Sequence, residues 1–289
     1  MMQTVTAMET VTTIREMQAI VRAARIGSGT IGLVPTMGAL HEGHLSLVRA
    51  ARARCTHVIA TIFVNPLQFG PNEDFSRYPR TFERDVELLT DEGVDWLFAP
   101  SAEEMYPQGA QTTVDVPEIG ARLDGASRPG HFRGVATVVS KLFHITQPDL
   151  AFFGQKDAAQ VAVLRRMVRD LNFPLELVVC PTVREADGLA LSSRNRYLNE
   201  EERSRALVLS RALRKAEALA ETGTPATLRD AMLSEFEGTD GVRIDYVAVV
   251  DPDTLLDVSD LSRGALLAVA AWVGSTRLID NLLLPAREV

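Results

Sequence analysis

Cysteines, aromatic residues and long apolar runs are all scarce in this sequence of 289 residues. Its 2 cysteines, Cys55 and Cys180, lie far apart and outside any CxxC spacing, which argues against a disulfide framework or a zinc site and predicts two buried small side chains. The longest apolar run, residues 265–273, is too short to cross a bilayer of about 30 Å. The first 20 residues include Glu9 and Glu16 and lack the apolar core of a secretory signal, so we expect a cytoplasmic protein without a membrane partner.

Positive charge is also in the minority, because 30 Lys and Arg stand against 38 Asp and Glu, which gives a net charge of -8. Such a surface repels nucleic acid, so we expect no nucleic-acid partner, and an anionic ligand must meet locally clustered basic groups. The hydrophobic share of 46% and the charged share of 24% exclude the disordered and fibrous classes. The length predicts one large domain or two unequal ones.

Short apolar runs alternate with helical segments up to about residue 180, as a parallel sheet with crossover helices requires. The segment 157–172 shows helical spacing, with one apolar face and one basic face. Its apolar positions are Val161, Leu164, Val168 and Leu171, and its solvent-side positions are Arg165, Arg166 and Arg169. The candidate strands are 31–34, 58–64, 96–99, 150–153 and 175–179.

The pattern changes after Pro181, where a polar loop precedes two helices and then three strand-like runs at 243–250, 265–272 and 276–284. Gly274 and Ser275 join the last two runs as a hairpin turn would. We therefore predict an α/β protein with a Rossmann-like parallel-sheet nucleotide-binding domain over residues 1–182. A smaller C-terminal α+β domain follows over residues 183–289.

The segment 35–44, PTMGALHEGH, follows a predicted strand and precedes a predicted helix. Ligands collect at the carboxyl ends of parallel strands, and a helix N-terminus there offers free N–H groups to phosphate. Gly38 and Gly43 let the backbone approach a nucleotide closely, while His41 and His44 can donate hydrogen bonds to phosphate oxygens. Two surface histidines at a helix start remain the alternative interpretation. A zinc site is disfavoured because further ligands have no nearby candidates.

A second segment, 152–160 (FFGQKDAAQ), repeats this arrangement of a strand end and a helix start. Lys156 can reach phosphates as a point charge, and Asp157 could cap the helix or hold a ribose or a metal-bound water. A third segment, 183–195, carries the hydroxyls of Ser192 and Ser193 followed by Arg194, which suit phosphate. This loop at the predicted domain junction could close over a nucleotide. Taken alone, each segment also fits ordinary loop structure.

Two further segments suggest a substrate surface. In FVNPLQF, residues 63–69, the amide of Gln68 could bind a hydroxyl group. In RPGHFR, residues 128–133, the side chains of Arg128, His131 and Arg133 predict a basic patch for a carboxylate, although each segment alone more often serves loop structure. His57 and His144 fall within strand and helix patterns, so we interpret them as structural.

The order of these segments resembles the pantothenate synthetases, the family of pantoate:β-alanine ligases. The resemblance rests on PTMGALHEGH, FVNPLQFG, YPRT, GHFRGVATVVSKLF, FFGQKD and TVREADGLALSSRNRYL and covers nearly the whole chain. It implies a fold of the H-x-G-H nucleotidyltransferase type, a homodimer, and a C–N bond-forming ligase that uses ATP and Mg²⁺. Pantoate would first be adenylated, with loss of pyrophosphate, and β-alanine would then displace AMP to give pantothenate. The metal ligands are not indicated by the sequence.

The resemblance also implies roles for individual residues. His44 would be the proton donor, with His41 and Lys156 also catalytic. Pantoate would meet Gln68 and Gln160, with Gln68 also near β-alanine. Together with these residues, the basic patch of Arg128 and His131 described above forms the predicted substrate site. The ATP site would comprise Met37, Gly38, His41, Gly43, His44, Gly154, Gln155, Lys156, Asp157, Val183, Leu191, Ser192, Ser193 and Arg194. Departures from the family pattern at Gln155, Ala158, Ala159 and Leu191 put the local packing of the pocket in question.

Two other functions compete with this hypothesis. Another H-x-G-H nucleotidyltransferase would transfer AMP or CMP to a phosphate-bearing substrate, whereas Gln68 and Gln160 favour a small hydroxy acid. A nucleotide-binding regulator without catalysis would have no need for an intact set of His41, His44, Lys156 and Arg194.

Overall fold

A six-stranded, wholly parallel sheet forms the larger part of the computed structural model, which describes residues 8–71 and 73–287. The strand order is β1-β4-β3-β2-β5-β6. The strands are β1 (Glu9–Val11), β2 (Ile31–Thr36), β3 (His57–Ile62), β4 (Trp96–Phe98), β5 (Leu150–Gly154) and β6 (Glu176–Cys180). The predicted α/β class is confirmed. Only β1 was missed, because its three residues at the sheet edge bury Val11 alone and carry no apolar run.

Helices cover both faces of this sheet. The apolar sides of α1, α6 and α7 form one core with the strands, and α2 and α3 form another on the opposite face. The helices are α1 (Ile14–Ile26), α2 (Glu42–Arg54), α3 (Phe82–Asp91), α4 (Ala102–Met105), α5 (Asp124–Ser127), α6 (His131–Thr146), α7 (Ala158–Asp170), α8 (Glu200–Glu217) and α9 (Pro225–Phe236). Within residues 8–71 and 73–287, no helix has the length and apolar character needed to span a membrane.

The predicted helix at 157–172 is shorter than expected. It ends at Asp170, and Leu171 lies beyond it with 52% of its surface exposed, so the interpretation of Leu171 as part of the apolar face was wrong. Ala158 and Ala159 are buried in the core. Cys55 and Cys180 are free and buried, as predicted.

The C-terminal sheet is antiparallel and contains β7 (Val242–Val250), β8 (Ala265–Val273) and β9 (Thr276–Leu284). Helices α8 and α9 pack on one face through Val247 and Leu267, while Ala248 and Leu266 on the other face join the core under α7. Burial on both faces explains why β8 is apolar at every position. The hairpin through Gly274 is confirmed, since its φ of 56° suits such a turn. The exact domain boundary at 182/183 stays a prediction.

Candidate active site

The H-x-G-H segment begins α2 with a cap made by two histidines. His41 is the N-cap residue, and its Nδ1 accepts a hydrogen bond from the backbone N–H of Gly43 at 3.2 Å. The Nδ1 atom of His44 accepts in turn from the backbone N–H of His41 at 3.3 Å. The two ring centroids are 4.1 Å apart. Both rings are therefore oriented by the helix start itself, as the side chains of a reciprocal capping box are.

These contacts also determine the tautomer of each ring. A neutral imidazole whose Nδ1 accepts must carry its proton on Nε2, which is then free to donate. Burial, with the nearby positive charges of Lys156 and Arg196, lowers the pKa of His41 to about 4. Burial, with the charges of His41 and Lys156, lowers the pKa of His44 to about 3. At pH 7 both residues are neutral hydrogen-bond donors.

The loop between β2 and His41 is held by a carboxylate that the sequence did not suggest. Asp85, only 1% exposed, accepts hydrogen bonds from the backbone N–H groups of Ala39 at 2.8 Å and Leu40 at 2.9 Å. The hydroxyl of Thr81 donates to the same carboxylate at 3.1 Å. Gly38 and Ala39 have φ values of 80° and 52°, a left-handed conformation that is unfavourable for alanine. The carboxylate of Asp85 stabilises this turn and thereby sets where His41 begins the helix.

The FFGQKD segment crosses from β5 to α7 through one turn of 3-10 helix, Gln155–Asp157. The side chain of Lys156 is 19% exposed and lies 4.0 Å from the carboxylate of Asp157. Asp157 occupies the N-cap position of α7 but makes no capping hydrogen bond, so the capping interpretation was wrong. Its carboxylate is 51% exposed, which leaves it accessible to a ribose or a metal-bound water. The side chain of Gln155 instead donates to Asn281 of β9 at 3.0 Å.

The serine-containing loop folds back on the H-x-G-H segment. The backbone N–H of Leu191 donates to the carbonyl of Val183 at 3.0 Å, and Leu191 Cβ would lie 3.8 Å from a Cβ placed on Gly43. Ser192 caps the following turn by accepting from the N–H of Arg194 at 3.3 Å. The closeness of Leu191 to Gly43 places this loop beside the start of α2.

Arg194 is already paired in this structure. Its Nε and Nη2 atoms bind the carboxylate of Asp74 at 3.1 and 3.0 Å. Ser193 Oγ lies 3.4 Å from the hydroxyl of Tyr78. The segment that contains Asp74 and Tyr78 therefore contacts the serine-containing loop through Arg194 and Ser193. A phosphate at this position would share Arg194 with Asp74.

The amide of Gln68 is oriented by a buried neighbour. Asn65, 1% exposed, donates from Nδ2 to Gln68 Oε1 at 3.1 Å and accepts at Oδ1 from the hydroxyl of Tyr106 at 2.9 Å. The Nε2 group of Gln68 points to the sulfur of Met37 at 3.1 Å. The 3-10 turn Pro66–Gln68 lies so close to α6 that a Cβ on Gly134 would be 2.2 Å from the Leu67 carbonyl oxygen. Sequence reasoning missed the roles of Asn65 and Tyr106.

The predicted basic patch at residues 128–133 is only partly correct. Arg133 is exposed and is absent from the walls of the cleft between the two sheets. Arg128 binds Glu73 through Nε at 2.7 Å and Nη2 at 2.6 Å, which offsets its charge. Its Nη1 donates to Nε2 of His131 at 2.9 Å, so His131 must donate from Nδ1 to the carbonyl of Gln68 at 2.8 Å. Burial, followed by the charge of Arg128, lowers the pKa of His131 to about 4.

This cleft, of about 540 Å³, separates the parallel sheet from the C-terminal sheet. The predicted residues on its walls are Arg128, His131, Lys156, Asp157, Gln160, Ser192 and Arg194. Residues 275–280 at the start of β9 form the facing wall. In the part of the chain that the structure describes, no cluster of three or more His, Cys, Asp or Glu residues could hold a metal ion. His57 and His144 pack on Trp96 and Phe173, away from this cleft.

The fold and the site together define an α/β protein with neutral histidines at a helix start and, on neighbouring loops, the Lys156 and Ser192 side chains that line the cleft. The model of one family, described as pantoate-beta-alanine ligase, matches residues 9–283. The chain belongs to the pantoate-β-alanine ligase family, whose members form a C–N bond.

Two similar proteins agree with this assignment. The chain is 63% identical to the pantothenate synthetase of Acidobacterium capsulatum, with 94% of this chain and 95% of that protein covered. It is 58% identical to the pantothenate synthetase of Moorella thermoacetica, with 97% and 100% covered.

Two solved structures share the fold. The pantothenate synthetase of Thermus thermophilus has a TM-score of 0.91 at 52% identity, with 95% of this chain and 99% of that chain covered. The pantoate-beta-alanine ligase of Francisella tularensis, complexed with β-γ ATP and β-alanine, has a TM-score of 0.79 at 36% identity, with 96% and 98% covered.

Proposed function

We propose that this chain condenses pantoate with β-alanine at the expense of ATP, giving pantothenate, AMP and pyrophosphate through a pantoyl-adenylate intermediate. The observation that carries the proposal is the convergence of neutral His41 and His44 with Lys156 at one edge of the sheet, where the neighbouring segments supply the amides of Gln68 and Gln160. The ATP and β-alanine named with the Francisella tularensis relative support the choice of substrates.

In the first half-reaction, a carboxylate oxygen of pantoate attacks the α-phosphorus of ATP. The bond from that phosphorus to the bridging oxygen breaks, and pyrophosphate leaves. The Nε2–H groups of His41 and His44 and the ammonium group of Lys156 are the donors that would stabilise the charge gained by the phosphate oxygens. His44, with its pKa lowered to about 3, would act by donating a hydrogen bond from a neutral ring. Ser192, Ser193 and Arg194 would hold the nucleotide from the other side.

In the second half-reaction, the neutral amine of β-alanine attacks the acyl carbon of the adenylate. A C–N bond forms, the amine loses a proton, and AMP leaves with the electron pair of the C–O bond. Gln68 and Gln160 would hydrogen-bond pantoate. The hydrogen bond from His131 Nδ1 to the backbone carbonyl of Gln68 would hold the Gln68 side chain close to the incoming amine. Arg128 and His131 complete this substrate site. Catalysis then rests on orientation, since the adenylate already contains a good leaving group.

Mg²⁺ fits this site as an ion held mainly by the phosphates of ATP and by water. The half-exposed carboxylate of Asp157 is one oxygen ligand that the chain offers on the cleft wall, and Mg²⁺ commonly takes one or two carboxylates in such sites. When bound, the ion would offset phosphate charge. From the family resemblance we also propose a homodimer and a cytoplasmic location.

The products of the reaction test the proposed function. Purified protein given ATP, pantoate, β-alanine and Mg²⁺ should form AMP, pyrophosphate and pantothenate in equal amounts, which chromatography with isotope-labelled β-alanine measures. Omission of any one substrate should abolish pantothenate formation. Release of ADP, or transfer of AMP to a phosphate-bearing acceptor in place of pantoate, would contradict the proposal and favour a different nucleotidyltransferase.

A further inference from the structure

Asn281 on β9 reaches across to the turn that carries Lys156. Its Nδ2 group donates to the carbonyl of Gln155 at 3.0 Å and to that of Lys156 at 2.8 Å. Its Oδ1 accepts from the side-chain amide of Gln155 at 3.0 Å. Asn281 is 5% exposed, so both of its N–H groups are used inside the protein. Two consecutive backbone carbonyls are therefore fixed by one side chain from the C-terminal sheet.

This turn needs such support. It is a single turn of 3-10 helix, Gln155–Asp157, between β5 and α7, and 3-10 hydrogen bonds have poorer geometry than those of an α-helix. The N-cap side chain of Asp157 makes no capping contact that could hold the turn from within. The three hydrogen bonds with Asn281 thus supply a constraint that the local chain lacks. They set the direction in which the side chain of Lys156 leaves the backbone.

The residue before Asn281, Asp280, holds the serine-containing loop in place through Arg184. Asp280, 3% exposed, binds Arg184 at 2.6 and 2.9 Å, and Arg184 also donates to the carbonyl of Gly188 at 3.1 Å. Arg184 starts the loop that leads to Ser192. One short stretch of β9 consequently holds both the lysine turn and the serine-containing loop, and the position of the C-terminal sheet determines their spacing.

We propose that Asn281 is a positioning residue of the adenylation site, which acts through the backbone of Gln155 and Lys156 to aim the Lys156 ammonium group at the phosphates of ATP. Asn281 is buried and its side-chain amide is taken up by hydrogen bonds to Gln155 and Lys156, so direct contact with substrate does not explain its position. A misplacement of about 1 Å at a reacting group can lower a rate by about 100-fold. The inference rests on the proposed function, in which Lys156 binds phosphate.

A double-mutant cycle distinguishes positioning from general stability. Asn281→Leu keeps the size of the side chain but removes every hydrogen bond, and Asn281→Asp keeps only the acceptor. In the pantoate-dependent exchange of pyrophosphate into ATP, each variant should lower kcat by about 10- to 100-fold. In a Lys156→Ala background, the same change should cost less than about twofold, because the group being aimed is absent. Arg165→Met, which removes an exposed contact with Asp253, is the matched control and should leave kcat unchanged.

Hydrogen exchange gives a readout that does not depend on activity. Backbone amides of residues 155–160 should exchange faster in both Asn281 variants and at the wild-type rate in Arg165→Met. Equal losses of kcat in the wild-type and Lys156→Ala backgrounds, or unchanged exchange of this segment in both Asn281 variants, would overturn the inference. A wild-type protein that lacks pantoate-dependent activity would instead refute the proposed function, while the hydrogen-exchange comparison would still test the effect of Asn281 on the turn.

Discussion

Replacing His44 with alanine is expected to lower the rate of pantoate adenylation by on the order of 10²- to 10³-fold, the usual cost of one lost oxyanion donor. The half-buried ring of His44 accepts a hydrogen bond at Nδ1 from the N–H of His41, which leaves Nε2–H as the group available to phosphate. The measurement is kcat for the first half-reaction with pantoate, ATP and Mg²⁺. A rate within a factor of about three of the wild type would remove His44 from the catalytic role.

Two further substitutions separate the two nitrogen atoms of His44. His44→Asn places an oxygen where Nδ1 stood, so the cap on α2 should persist while the donor to phosphate is lost. His44→Gln places an amide nitrogen near the former Nε2, so part of the rate should return at some cost in stability. If His44 served only to cap the helix, the order of activities would be reversed. His144→Ala, an exposed residue of α6, is the matched control and should behave as the wild type.

The pH dependence of the wild-type enzyme follows from the same geometry. Because burial lowers the pKa of His41 to about 4 and that of His44 to about 3, both rings remain neutral well below the ordinary histidine value of 6.5. The value of kcat/KM for ATP should therefore show no inflection from these rings near pH 6.5, since kcat/KM reports the free enzyme. An acid limb at that pH that disappears in His44→Gln would contradict neutral donation.

Replacing Asp85 with alanine is expected to lower the free energy of unfolding by about 2 to 5 kcal/mol, because two buried N–H groups lose their acceptor. Those groups belong to Ala39 and Leu40, which hold the left-handed turn before His41. The same change should reduce adenylation, since the turn sets the position of the histidine cap. Urea unfolding gives the stability, and kcat at a temperature where the variant is folded gives the rate.

The control for Asp85 lies on the same helix. Asp91, at the exposed end of α3, should lose less than about 0.5 kcal/mol when changed to alanine, as surface substitutions usually do. Asp85→Asn retains the shape but turns one acceptor into a donor that faces a backbone N–H, so it should also be destabilised. Stability within about 0.5 kcal/mol of the wild type in both Asp85 variants would show that the turn does not depend on the carboxylate.

The sequence predicted those features that arise from local patterns. Five strands of the parallel sheet, the C-terminal hairpin and the strand–turn–helix setting of His41 depend on apolar periodicity and turn residues close in the chain. The positioning residues depend instead on contacts between distant segments. Asp85 binds a backbone group 46 residues away, and Asn281 binds one 126 residues away. A lone Asp in a helix or Asn in a strand carries no pattern that reveals such a partner.

The sequence predictions that were wrong also failed because they depended on contacts between distant segments. Arg128 and Arg133 are close in sequence and suggested one basic patch, but the first turn of α6 leaves Arg133 exposed while Glu73 binds Arg128. Asp157 is a residue type that often caps helices. Here it is the last residue of the 3-10 turn before α7, and its carboxylate makes no hydrogen bond to the N–H groups of α7. Residue type and spacing indicated which side chains bear chemistry, whereas their partners depended on the tertiary fold.

The central claim, that this protein adenylates pantoate, is tested most directly by isotope exchange. Purified protein with ATP, Mg²⁺, pantoate and labelled pyrophosphate, but without β-alanine, should transfer the label into ATP. Omission of pantoate should stop the transfer, because the reverse reaction requires pantoyl adenylate. A protein that forms pantothenate when β-alanine is added, yet shows no pantoate-dependent exchange in its absence, would contradict the adenylate intermediate and the proposed catalytic roles of His41, His44 and Lys156.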